Sequence, residues 1–122
     1  MNEQDIVAET VRAHFGEESL NSVLERGIRF LEESIELFQA AGGFEDVAQL
    51  LVRYVYGRPK GDPAQEIGGV GVTLMALAES LKLNAEVCVT EEVTRFSTLP
   101  SDYFRERHEA KFQAGVSTIS TE

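Results

Sequence analysis

Leu24, Ile28, Leu31, Ile35 and Phe38 recur at three- and four-residue intervals, the period of one face of an α-helix. That stripe constrains the fold more than any other feature. Gly42-Gly43 follows it directly and supplies a helix stop. The spacing predicts a long helix from near Ser19 or Asn21 to Ala41. On that helix Glu32, Glu33 and Glu36 share one sector with Arg29, and Phe30 and Leu37 lie beyond the acids. An acidic stripe with apolar residues on both flanks differs from an ordinary solvated face. Carboxylates gathered in one place repel one another unless something positive joins them. A hard divalent cation such as Mg²⁺ or Mn²⁺ prefers such oxygen ligands. The plainer alternative is a charged helix face with Arg29 as its local partner.

Similar patterns punctuate the rest of the chain. Ile6, Val7, Val11 and Phe15 predict a first helix from about Gln4 to Phe15, stopped by Gly16. His14 reads as a surface or packing residue. Phe44 to Tyr56 carries Val47, Leu50, Leu51, Tyr54 and Val55 on one face. It is expected to form a hairpin or a bent pair with the acidic helix. The stretch from Gly57 to Pro63 is a loop, broken by two prolines and two glycines. It holds Arg58 and Lys60, either as a solvated turn or as cations for phosphate groups. Asp62 is placed to cap the next helix, with Pro63 at its first position and Gln65 at the capping-box position.

That helix is predicted over Pro63 to Leu81, with Ile67, Val70, Leu74, Leu77 and Leu81 on one apolar face. Glu66 at the edge of that face is expected to be partly buried and to need a partner. Gly69, Thr73, Ala76 and Ser80 make a neighbouring face of small residues, where Thr73 could border a ligand or a partner helix. Val70-Gly71-Val72-Thr73 alternates enough to offer a short strand instead. The glycines do not make a phosphate loop, because no GxxxxGK[ST] is present. Ala85 to Phe96 and about Asp102 to Gln113 complete the helices, the latter capped by Ser101 or Asp102. Residues 114–122 read as a flexible tail after a single domain over 1–113.

Composition narrows the function classes. With 122 residues and a net charge of −10, the chain suits one acidic domain and repels nucleic acid and anionic membranes. Cys88 is the only cysteine, so no intrachain disulfide can form and a Cys/His zinc site is not expected. The acidic, polar opening Met1 to Asp5 does not read as a secretory leader, and no apolar run is long enough to span a bilayer. A cytoplasmic location is expected.

Glu32, Glu33 and Glu36 on one helix and Glu66 on another would meet if those helices packed side by side, a known way to build a metal site in a bundle. Phe30-Leu31-Glu32-Glu33-Ser34-Ile35-Glu36-Leu37, then Tyr54 to Pro59, then Gln65-Glu66-Ile67-Gly68-Gly69-Val70, resembles the all-α nucleoside triphosphate pyrophosphohydrolases of the MazG type. The likeness is strongest to the small MazG-like proteins of bacteria and phages. It spans roughly Asn21 to Leu81, and more loosely the rest.

The resemblance implies an all-α bundle of five to six helices, its four-helix core completed in a homodimer or homotetramer. It implies cleavage of an NTP or dNTP to the monophosphate and pyrophosphate, with Mg²⁺ (or Mn²⁺) as cofactor. Glu33 and Glu36 match the family's ExxE, and Glu66 the first acid of its ExxD. Glu32 would hold metal or, with Glu36, serve the attacking water. Lys60 and Arg58 would contact phosphates. The sequence departs from the pattern at Gly69, where the family has Asp. Asp62 could substitute as a ligand, though its capping position offers another use. A non-catalytic, nucleotide-binding or structural oligomer of the same fold is the alternative, and an unrelated acidic adaptor a third reading.

Overall fold

The computed structural model describes residues 1–118, all in helices and short connections, with no strand among them. The seven helices are α1 (Glu3–Phe15), α2 (Glu17–Asn21), α3 (Val23–Ala40), α4 (Glu45–Tyr56), α5 (Pro63–Ser80), α6 (Ala85–Thr98) and α7 (Ser101–Gln113). The all-α expectation holds, and Val70 to Thr73 is helical.

Local chemistry explains most of the boundaries. Asn2 and Asp5 form a reciprocal capping box at the start of α1. Asp62 accepts from the Gln65 N–H at 3.0 Å and Pro63 opens α5, as expected. Gly42 (φ 96°) turns the chain after α3, and the Gly43 N–H donates to the Phe38 carbonyl at 2.7 Å. A Cβ on Gly43 would stand 2.4 Å from the Phe38 ring, so this connection needs glycine. Between α5 and α6, Lys82 adopts φ 63° and the Leu83 N–H donates to the Ala78 carbonyl. That is a Schellman-type stop, here without the usual glycine.

Three expectations change. The long acidic helix does not reach back to Ser19. A separate short α2 comes first, and Ser22, between it and α3, accepts the Glu25 N–H on its hydroxyl at 3.2 Å. Pro100, not Ser101 or Asp102, holds the N-cap position of α7, which has no side-chain cap; Ser101 is already helical, and its hydroxyl pairs with His14 Nδ1 at 2.8 Å. The helix pairs whose backbones approach closely are α1–α2 and α1–α7, so of the two arrangements expected for α3 and α4 the tightly packed hairpin is excluded and the bent pair is not.

The described residues divide into two compact units: 1–32 with 89–118, and 33–88. The first has an aromatic core. Phe104 on α7 meets His14 and Phe15 of α1, Phe96 of α6 and its own neighbour Tyr103, with ring centroids 4.6 to 5.7 Å apart. Val11, Phe104 and His108 are buried there. The second unit buries little. Ala78 is its one buried residue, while Ile35, Leu50, Leu51, Val55, Ile67 and Val70 are all exposed.

Candidate functional site

The acidic stretch crosses the boundary between the units, Glu32 on one side and Glu33 and Glu36 on the other. Glu32 is held by two cations of its own unit. Lys111 Nζ of α7 lies 3.0 Å from Oε1, and Arg29 Nη1 lies 3.6 Å from the same oxygen. Lys111 answers the electrostatic question the sequence raised at Glu32, alongside the local partner Arg29. Sequence spacing could not find it, because it comes from a helix almost eighty residues away.

Glu33 and Glu36 are exposed and lie one turn apart on α3. Leu31 and Ile35 beside them are about half exposed, not buried as their stripe predicts. Glu66 sits in the first turn of α5 and is exposed, contrary to the expected partial burial. Its carboxylate turns back toward the preceding loop, where a Cβ on Gly61 would fall 2.7 Å from Oε1. Asp62 is committed to capping α5. In the loop itself, the Arg58 guanidinium stacks over the Tyr54 ring at 4.5 Å, and Lys60 is exposed. Thr73 spends its hydroxyl on the carbonyls of Gly69 and Val70, at 3.0 and 3.1 Å.

No group of three or more His, Cys, Asp or Glu side chains is placed to share a metal ion among the described residues. A single copy of the chain therefore presents the Glu33–Glu36 pair and Glu66 as separate features, not as a preformed metal centre.

The densest polar cluster lies elsewhere, and the sequence reading did not single it out. Glu25 is fully buried, at 0% exposure. It accepts from the Thr118 N–H at 2.7 Å, from Thr118 Oγ1 at 2.9 Å, and from Ser117 Oγ at 3.0 Å to each oxygen. Arg29 Nε stands at 3.5 Å and Arg26 Nη2 at 3.9 Å. Burial pushes the Glu25 carboxyl up. The donors from Thr118 and Ser117, with the charge of Arg29, outweigh that and hold it below the usual glutamate range. Residues 114–118, read from sequence as part of a flexible tail, are thus anchored; residues 119–122 lie outside the described residues.

No protein-family model, curated protein or solved structure matches the chain. No helix of the described residues is long and apolar enough to cross a membrane.

Proposed function

We propose that the chain is a metal-dependent nucleotide pyrophosphohydrolase of the MazG-like kind, working as a homo-oligomer in which its carboxylates meet across copies. The observation that carries this reading is the pairing of features in residues 33–88. Glu33 and Glu36 border an apolar flank that the chain leaves uncovered. Glu66, with Arg58 and Lys60 in the loop before it, stands on another helix whose apolar residues are also uncovered. Ile67 is 75% exposed and Leu50 64%. Exposed large apolar side chains in this number support an interface.

Docking the α3 and α5 faces of two copies would bury those side chains and bring acids together at the rim. Mg²⁺ or Mn²⁺ held there would neutralise charge on a triphosphate. Glu36 and Glu32 would orient and deprotonate the attacking water, Glu32 once released from Lys111. Lys60 and Arg58 would meet the phosphates.

A second reading has its own support. Gly69 leaves the ExxD motif one acid short, and Glu32 is already neutralised by the chain's own cations. Both favour an oligomer that binds nucleotide, or only itself, without turnover.

Pyrophosphate release from a panel of NTPs and dNTPs with Mg²⁺ or Mn²⁺ separates the two. Release by the wild type and its loss in Glu36→Gln, with helicity unchanged by circular dichroism, is the expected result. Ligand-induced stabilisation without any release moves the conclusion to the binding oligomer.

A further inference from the structure

The Glu25 cluster has no part in the proposed hydrolysis, yet it is the most completely built polar site in the described chain. A fully buried carboxylate is costly unless every lone pair is met. Here the donors come almost entirely from one short segment. α7 ends at Ala114. Gly115, at φ 78°, reverses the chain, and the Val116 N–H returns to the Lys111 carbonyl at 2.9 Å. The Val116 carbonyl then accepts from Arg29 Nη2, and Ser117 and Thr118 close on Glu25.

We infer that residues 114–118 form a latch, locked by the ionised carboxylate of Glu25, which holds the end of α7 to α3 and opens when that carboxylate takes up a proton.

The donor chemistry makes the lock specific to the charged form. The Thr118 N–H can only donate, and it needs an acceptor oxygen facing it. A protonated Glu25 turns one oxygen into a donor and loses the charge that strengthens the remaining bonds. The charged and titratable groups around Glu25 work in the same direction. From α3, Arg26 and Arg29 flank it, and Arg26 Nε, Arg29 Nε and Arg29 Nη1 are buried without a hydrogen bond. From α7, His108 is buried with Nε2 at 3.4 Å from Ser117 Oγ, and Lys111 reaches Glu32. Segment 114–118 brings no charge of its own. Neutralising Glu25 would leave Arg26, half-buried, without its carboxylate, and Arg29 with Glu32 as its remaining one, a penalty relieved by opening to water.

The direction in pH follows. The Glu25 carboxyl titrates lower in the closed state than in an open, solvated one. The lock is at full strength above the ordinary glutamate value of about 4.3 and is lost as pH falls through the lower, closed-state value. At neutral pH the latch is shut, and strong acid releases it. Opening exposes Arg26 and Arg29, and it frees the end of α7 that carries Lys111 to Glu32.

Nuclear magnetic resonance on the full chain tests this through the Thr118 amide. In the wild type its shift should follow a single-proton transition below pH 4.3, at a pH where circular dichroism still reports full helicity. In Glu25→Gln at pH 7, its hydrogen exchange should be at least tenfold faster, with the amides around Phe104 unchanged. Ser117→Ala/Thr118→Val removes both hydroxyl donors of the segment without touching the Phe104 cluster. It should give the same local acceleration, and it decides the matter if Glu25→Gln does not fold. Unchanged Thr118 exchange in the variants overturns the latch. An acid transition at Thr118 that coincides with loss of helicity overturns the proton control.

Discussion

Lys111 and Glu32 carry a prediction that belongs to single residues. Both side chains are about three-quarters covered, and the ammonium lies 3.0 Å from the carboxylate. A pair in that setting contributes more than one in open water, yet is still screened by salt. Lys111→Met should lower stability by about 0.5–1 kcal/mol at low ionic strength. The loss should shrink in high salt, while Lys111→Arg should stay near the wild type. Thermal melts at two salt concentrations check this. Neither this pair nor the buried Glu25 was legible in the sequence. The helical period placed Leu24 inward, but Leu24 is 65% exposed and its neighbour Glu25 is buried. Period alone assumes that the apolar face is the covered one. Here the covering segment brings hydroxyls and a backbone N–H, so the carboxylate turns inward instead. The partner of Ser101 was hidden for a related reason, because His14 lies 87 residues away.

Among the elements, α5 is the most informative. Its limits were readable because Asp62-Pro63 is a strong start and the cap forms as expected. Asp62→Ala should cost about 1 kcal/mol, measured by chemical denaturation. The glycines within the helix are a different matter. A Cβ at Gly68, Gly69 or Gly71 would meet nothing within 4 Å in a single chain. Replacing each by Ala should therefore stabilise an isolated chain by about 0.5–1 kcal/mol. If these positions are covered by a second copy, the same substitutions should weaken association instead, as dilution in analytical ultracentrifugation would reveal. Gly69→Asp is the sharper variant. It supplies the acid that the MazG-like pattern carries at this position, and a Cβ there meets nothing within 4 Å. Under the hydrolase reading it should tighten Mn²⁺ binding and raise pyrophosphate release. Equal Mn²⁺ binding in both proteins would count against a metal role for this turn of α5. The acids themselves were easy to find in sequence. That Glu66 bends back over its loop was not, since its surroundings come from the turn at Gly61.

At the scale of the whole molecule, residues 33–88 bury almost none of their apolar side chains. Tyr56 is 86% exposed and Phe44 74%, and Ala78 is the only buried residue of that unit. A stretch of this length without its own core is poorly stabilised unless other surface covers it. The expected outcome is an apparent melting temperature that rises with protein concentration. Leu50→Glu or Ile67→Glu should abolish that dependence while leaving the Phe104 cluster intact by near-ultraviolet signals. A concentration-independent melt in a protein that sediments as a monomer would remove the oligomer from the proposed function.

The discontinuity of the first unit bears on synthesis as well as on stability. α1 and α2 leave the ribosome early, but their aromatic partner Phe104 follows roughly ninety residues later. At about 5–20 residues per second, Phe15 waits between about 5 and 20 seconds for the ring it packs against. During that interval the apolar helices of residues 33–88 emerge with no completed core upstream of them. If copies associate as proposed, neighbouring nascent chains on one message would meet with those faces still uncovered.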